Sequence, residues 1–512
     1  MIEENKSSMK NSVRRIIIAG IGVLIQIIWV VVLLMRLNEY SQIITLLTVA
    51  IELVLVLAVY SMDTNAAFKL PWIILITVAP IVGICVFFLF GRSGATKKVR
   101  ARYRKIDQQL FAYLDQDEQI IEELSKKDER LANDFKYLWK CASSPVYKNT
   151  DVKYYGDTCD AMAAQLEDMM QAKKFIFLEY HAIEMAESFQ ALRKVLMAKA
   201  REGVEIRILY DDAGCIGFLN PRFIKYMESM GIQCRVFNPI MPVLNIFMNN
   251  RDHRKITVID GKVAYTGGYN LADEYFNITH PYGQWKDSGI RFEGDAVQTA
   301  TILFLEMWNA LREQDVDIEK YLPVYPYKAK EQGFFALYGD SPLDKEPAGE
   351  NVYMNLLRHA KKYIYFTTPY LILSDEMTRE LTGAAKRGVD VRIITPGIPD
   401  KKTIFQVTKS YYPQLLKHGV KIYEYTPGFM HEKQCICDGE IVVVRTINLD
   451  FRSLYLHFEN AALFCGYEAV SHVKEDFDAL FPICKDMSKE PSERTRRLRL
   501  SQLILRLFSP LM

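Results

Sequence analysis

The sequence predicts an α/β protein with apolar helices at its front, and three observations carry that prediction. Apolar residues crowd into the first ninety positions of the 512. Beyond about residue 100, helical patterns alternate with short β-branched and aromatic runs, the texture of sheets covered by helices. The segments so formed then occur twice, in the same order.

The front end comes first. Ile16 to Met35 is an apolar run of 20 residues broken only by Gln26, the length an α-helix needs to cross a hydrocarbon core. No small-residue cleavage site follows it, so the segment reads as a retained anchor and not as a signal peptide. Ile43 to Tyr60, interrupted by Glu52, and Pro71 to Phe90, with Pro80 inside it, are two further candidates. Residues 1–91 are therefore expected to be a transmembrane anchor of two or three helices, with Glu52 turned toward another helix. Arg92, Lys97, Lys98, Arg100, Arg102, Arg104 and Lys105 follow without an intervening acid. That places the rest of a multi-pass cell-membrane protein in the cytoplasm and its basic helical linker, 92–145, against anionic headgroups. Lys6, Lys10, Arg14 and Arg15 also favour the inside, whereas three crossings would put the two ends on opposite faces.

The duplication follows. Ala172-Lys173-Lys174-Phe175-Ile176-Phe177 recurs as Ala360-Lys361-Lys362-Tyr363-Ile364-Tyr365, and Gly203-Val204-Glu205-Ile206-Arg207-Ile208 as Gly388-Val389-Asp390-Val391-Arg392-Ile393. In each pair a helical pattern runs into a strand, the second time through a helix-ending glycine. Gly231 to Pro239 recurs loosely as Gly419 to Pro427. Two α/β repeats are expected, at 146–330 and 331–485. The tail, 486–512, interleaves Arg494, Arg496, Arg497, Arg499 and Arg506 with Leu498, Leu500, Leu503, Ile504, Leu505, Leu507 and Phe508. It reads as a basic amphipathic helix, lying either on anionic lipid or on the protein itself.

Charge and cysteine content exclude some classes. Lys and Arg number 64 against 62 Asp and Glu, a net charge of +2, so no broad basic surface marks a nucleic-acid binder. The nine cysteines form no C-x-x-C pair and do not read as a disulfide framework, which favours a reducing compartment for most of the chain.

Each repeat contains H-x-K-x-x-x-x-D: His253, Lys255 and Asp260 in the first, His431, Lys433 and Asp438 in the second. On a strand, residues two apart share a face, so each His–Lys pair points into one cavity. There an imidazole can attack phosphorus or protonate a leaving oxygen while the ammonium neutralises phosphoryl oxygens. Seventeen positions after each histidine stands an asparagine, Asn270 and Asn448, able to donate to a bound phosphate. Asp287 and Glu459 lie further on, one acid for each histidine. Bonded to the remote ring nitrogen, each would fix the tautomer; the residues alone leave a surface carboxylate as the alternative. Neither a Walker loop nor a dinucleotide fingerprint is present in the sequence.

These paired motifs resemble those of the phospholipase D superfamily. Tyr210-Asp211-Asp212-Ala213-Gly214, Asn250 to Lys255, Gly267-Gly268-Tyr269-Asn270, Thr368-Pro369-Tyr370 and Asn448 to Leu454 are similar to the bacterial cardiolipin synthases within it. The resemblance implies two α/β sandwich repeats about a pseudo-twofold axis that form one active site. It implies transfer of a phosphatidyl group between two phosphatidylglycerol molecules, giving cardiolipin and glycerol through a phosphohistidine. His253 would be nucleophile and His431 acid and base, with Asp260 and Asp438 counted in the catalytic set beside Lys255 and Lys433. Lys255, Lys433, Asn270 and Asn448 would hold the phosphate, with Thr446 as a further donor, and neither metal nor cofactor would be required. Partners would be phosphatidylglycerol and anionic membrane lipid. A hydrolytic phosphodiesterase, or a weakened lipid-binding paralogue, is the alternative. Arg445 departs from the family, whose members usually have glycine there; it would either weaken activity or serve as a third phosphate ligand. Arg254 and Glu432, at the x positions, are expected to point away from the cavity and to matter little.

Overall fold

In the computed structural model of this chain the described residues are 42–88, 97–219, 222–240, 249–312, 315, 317–490 and 498–511, with scattered positions between 21 and 36. Most of the first apolar run, Ile16 to Met35, lies outside them, as do Arg92, Arg494, Arg496 and Arg497. Among the described residues no helix is long and apolar enough to cross a membrane.

The second apolar run forms helix α1 (Gln42–Tyr60), with Ile43, Leu46, Leu53, Val54 and Leu57 exposed. The third does not form one helix, which corrects the expectation of a third span. It is divided between α2 (Ala66–Val78) and α3 (Pro80–Val86). Pro80 has no N–H to continue the ladder, and its ring drives Ala79 out of the helical region to φ −138°, ψ 73°. The halves turn sharply on each other: a β-carbon on Gly83 would stand 2.5 Å from the Ile76 Cα, so only glycine admits the approach. Asn65 caps α2 through the Ala67 N–H at 2.9 Å and also donates to Glu376 and Tyr455, tying the front end to the second repeat. The basic helix α4 (Lys97–Leu110) buries Tyr103, Ile106 and Leu110 in the protein's central core.

The first repeat contains β1 (Thr150–Tyr155), β2 (Phe175–Tyr180), β3 (Glu205–Asp211), β4 (Gln233–Phe237), β5 (Arg251–Asp252), β6 (Lys255–Ile259), β7 (Val263–Gly267), β8 (Gln284–Lys286) and β9 (Gly289–Gly294). The second contains β10 (Phe334–Asp340), β11 (Tyr363–Thr367), β12 (Asp390–Pro396), β13 (Lys421–Tyr425), β14 (Gly428–Met430), β15 (Gln434–Cys437), β16 (Ile441–Arg445), β17 (His457–Cys465) and β18 (Cys484–Asp486). The sheets run β1-β9-β7-β6-β2-β3-β4 and β10-β17-β16-β15-β11-β12-β13-β18. Apart from the edge strand β18 the two orders are the same, with parallel pairing in β2-β3-β4 and β11-β12-β13.

The two strands left over join the repeats. β5 pairs with β17, Arg251 opposite His457, and β8 pairs with β14, Trp285 opposite Phe429. Each repeat therefore lends backbone to the segment just ahead of the other's motif. Between the sheets lies α5 (Val297–Leu311), buried on nearly every face. It packs with Phe177, Val258 and Phe292 from one sheet and Phe335, Ile436 and Phe464 from the other. Outer helices, among them α6 (Ala348–His359), cover the remaining faces over separate cores.

The tail differs from one continuous amphipathic helix over 486–512. Asp486 still belongs to β18, paired with β13, and the described helix is α7 (Leu500–Leu507), 8 residues long. One face docks on the protein: Gln502 is buried and donates to the Gln406 carbonyl, and the Arg506 guanidinium lies 4.1 Å from the Tyr411 ring centre. The other face leaves Leu500, Leu503, Ile504 and Phe508 exposed.

Candidate active site

The strand exchange positions the histidines. The backbone N–H of His253 donates to the Phe458 carbonyl at 2.8 Å, and that of His431 to the Lys286 carbonyl at 2.9 Å. The carbonyl-bearing segments run directly into Glu459 and Asp287, so each acid lands on the histidine of the other repeat. His253 Nδ1 lies 2.9 Å from both Glu459 oxygens, and His431 Nδ1 2.5 Å from Asp287 Oδ2. Both carboxylates are fully buried. With Nδ1–H held by a carboxylate, Nε2 of each ring carries the lone pair, and that of His431 faces Lys433 Nζ at 3.1 Å.

The lysines share the cavity. Lys255 Nζ donates to the His253 carbonyl at 2.6 Å; Lys433 Nζ donates to that of His431 and stands 2.8 and 3.1 Å from its ring nitrogens. Burial lowers both ammonium pKa values, to about 7 for Lys255 and about 8 for Lys433, against the partly restoring pull of Glu459 and Asp287. Burial and the adjacent lysines likewise push His253 well below the ordinary imidazole range, and His431 to about 3. Lys433 and His431 are among the charges acting on His253, so the two halves converge on one site. Neutral imidazoles beside cationic groups suit attack on an anionic phosphodiester.

A family model for the cardiolipin synthase PLD-like domain matches residues 166–308 and 353–481. The cardiolipin synthase of Halalkalibacterium halodurans is 32% identical over 442 residues, covering 86% of this chain and 87% of that protein. The chain belongs to the phospholipase D-like cardiolipin synthase family. An uncharacterized protein of Streptococcus mutans serotype c is 39% identical over 460 residues, 90% of this chain and 99% of that one. Among solved structures, the phosphatidylserine synthase of Haemophilus influenzae Rd KW20 shares the fold, with a TM-score of 0.54 at 13% identity over 70% of this chain and 93% of that one.

Within this cardiolipin synthase framework several sequence-derived assignments change. Asp260 and Asp438 are not beside the histidines. Each lies past the far end of its motif strand in the left-handed region, at φ 53° and 54°. The Asp260 carboxylate accepts the backbone N–H groups of Lys173, Lys174 and Phe175 at 2.7 to 2.9 Å, and Asp438 those of Lys361, Lys362 and Tyr363 over the same range. They clamp the start of β2 and β11 and are structural. Thr446 donates from its hydroxyl to Glu459 at 2.5 Å, with the Asn460 carbonyl at 3.0 Å as the other acceptor. Its counterpart, Gly268, sits so near Asp287 that a β-carbon would come within 2.1 Å of Oδ1. Asn270 donates to the Tyr275 hydroxyl at 2.8 Å and accepts from the Ala182 N–H, leaving one amide hydrogen. Asn448 acts on the Asp450 carboxyl, and its Oδ1 has no hydrogen-bond partner among the described residues.

Arg445 is fully buried, its guanidinium 3.7 Å from the Tyr353 ring centre and with no hydrogen-bond partner among the described residues. Burial lowers its pKa to about 9. It stacks on Tyr353, which belongs to an outer core. Arg254 and Glu432 each enter a buried ion pair: Arg254 with Glu306 at 2.8 Å between the sheets, and Glu432 with Lys286 at 3.2 Å.

Sequence reasoning missed the walls. His431 sits among Tyr275, Trp285 and Phe429, with ring centres 5.1, 5.0 and 5.8 Å away. His253 faces His181 and His457 at 4.9 and 5.6 Å. The available signal was spacing: Trp285 and His457 each stand two residues before the acid, on its face of the pleat. His253, His457 and Glu459 bring three possible ligand atoms within 4.8 Å. Arg452 Nε donates to His457 Nε2 at 3.3 Å, however, which leaves the proton of a neutral ring on Nδ1, the atom facing the other two. With Lys255 alongside, the trio is poorly suited to a cation.

Proposed function

We propose that this chain is a membrane-bound phosphatidyltransferase that makes cardiolipin from two molecules of phosphatidylglycerol and releases glycerol. The crossed pairs, His253–Glu459 and His431–Asp287, carry the reading: two oriented imidazoles facing one lysine-lined cavity are what a double displacement at phosphorus needs.

In the first step His253 Nε2 attacks the phosphorus of one phosphatidylglycerol, and the bond from phosphorus to the glycerol oxygen breaks. His431 gives that oxygen a proton. It can hold one once the substrate's negative charge offsets the burial and the ammonium groups that keep it neutral in the free protein. Lys255 and Lys433 hold the nonbridging oxygens, with the remaining amide hydrogen of Asn270 as a further donor. In the second step His431 takes the proton of the second phosphatidylglycerol's hydroxyl, the alkoxide attacks phosphorus, and His253 leaves. One phosphodiester replaces another, so no outside energy source enters.

The apolar front end holds the enzyme to the bilayer that contains its substrates, with the body on the cytoplasmic side where the basic face of α4 meets anionic headgroups. The hairpin α2–α3 dips in without crossing. The exposed apolar face of α7, next to α2, rests on the same surface.

The test is the purified full chain in phosphatidylglycerol vesicles. Cardiolipin with equimolar glycerol is expected. Phosphatidic acid would indicate hydrolysis, and an inert chain would refute the reading.

A further inference from the structure

We infer that His457, which lies outside both motifs, is a positioning residue that holds the Glu459 carboxylate on His253. The inference deepens the transferase reading and rests on it.

β17 carries His457 and Glu459 two residues apart, on one face of the strand. Arg452 Nε–H donates to His457 Nε2 at 3.3 Å. Burial keeps the ring neutral, with its pKa near 3, so its single proton resides on Nδ1. That atom has no hydrogen-bond partner among the described residues and faces Glu459 Oε1 at 3.5 Å. The other oxygen, Oε2, takes the Thr446 hydroxyl at 2.5 Å. Oε2 thus has a bonded donor behind it and Oε1 faces one 3.5 Å away, while both stand 2.9 Å from His253 Nδ1. A contact of 3.5 Å is long in the free protein, and such contacts tighten when charge develops. Charge does develop here: a phosphoryl group on His253 Nε2 makes the ring cationic and draws in the carboxylate.

The opposite half lacks this support. Two residues before Asp287 stands Trp285, whose indole packs against His431 and whose N–H has no partner among the described residues. The Arg452–His457–Glu459 chain therefore serves His253 alone and makes the two histidines chemically unequal.

The test compares His457→Leu, His457→Asn and His457→Gln in phosphatidylglycerol vesicles, reading kcat, KM and the pH dependence of kcat/KM. The titratable and charged groups acting on His457 are Arg452, Glu459 and His253, with Arg251 opposite it on β5, all unchanged in these variants. Leu is expected to lower kcat about 10- to 100-fold, the usual range for lost outer-sphere support, with KM little changed. It should also raise the acid limb by about half to one pH unit, because a donor that favours the anionic pair is gone. Asn, whose amide nitrogen stands where Nδ1 stood, should recover most of kcat and the original limb; Gln, which reaches the Nε2 position, should not. Wild-type kcat and acid limb in the Leu variant would overturn the inference. So would Asn and Gln variants of equal activity, a comparison that stands even if Leu fails to fold. An inactive wild-type chain would count against the transferase reading itself.

Discussion

Replacing Glu459 with Gln removes one charge and almost no volume, and it tests how the site arms its nucleophile. Glu459 is fully buried, with His253 Nδ1 2.9 Å from each oxygen and the Thr446 hydroxyl 2.5 Å from Oε2. In the variant the amide oxygen keeps the shorter Thr446 contact, the hydroxyl's other acceptor being the Asn460 carbonyl at 3.0 Å, and the NH2 group turns toward His253. Nδ1 must then accept, and the ring proton moves to Nε2, the atom that has to attack phosphorus. The positive charge of a phosphorylated imidazole also loses its counter-ion. Loss of an orienting carboxylate of this kind lowers turnover by about 10^4 in the serine-protease triad. Allowing for the site's remaining cations, a fall of about 10^3- to 10^4-fold is expected here, about 4 to 5.5 kcal/mol at 1.36 kcal/mol per decade. Initial rates with labelled phosphatidylglycerol, beside a melting curve to show that the variant folds, provide the assay. A folded Glu459→Gln protein within tenfold of wild type would refute the reasoning.

Three further outcomes are expected. Lys255 and Lys433 have pKa values lowered to about 7 and about 8 and are charged only below them, so kcat/KM should fall as pH rises through 7 to 8; a profile flat to pH 10 would contradict their role. Asp260→Ala and Asp438→Ala each orphan three backbone N–H groups and should lower stability by about 2 kcal/mol, seen as a lower Tm, while the kcat of the folded fraction is kept. Arg445→Met removes buried N–H groups that have no hydrogen-bond partner among the described residues and should raise stability by about 1 to 3 kcal/mol with turnover unchanged; a strong loss of turnover would assign Arg445 to the phosphate site.

The repeated strands were legible because hydrophobic period and helix-ending glycines are local signals: Phe175–Tyr180 and Tyr363–Thr367 are strands at the same place in two identical sheet orders. The His–Lys pairs were legible for the same reason. The motif aspartates misled because spacing alone cannot separate a residue that performs chemistry from one that holds the strand performing it. Asp260 stands a whole strand away from His253, and only its three N–H donors reveal its task. The crossing of the acids depends on β5–β17 and β8–β14, pairings about 200 and 140 residues apart in sequence that no local pattern encodes. His457 and Trp285 were visible as side chains on the acid's face, but their meaning depends on the ring they meet. Pro80 was visible too, and its effect on the third apolar run follows from its missing N–H.

The most direct measurement is to quench the enzyme during turnover of phosphatidylglycerol and to locate the phosphorus adduct by peptide mass spectrometry. The adduct should be on His253, and absent from a His253→Ala variant that makes no cardiolipin. An adduct on His431, or none on any histidine while cardiolipin accumulates, would contradict the account.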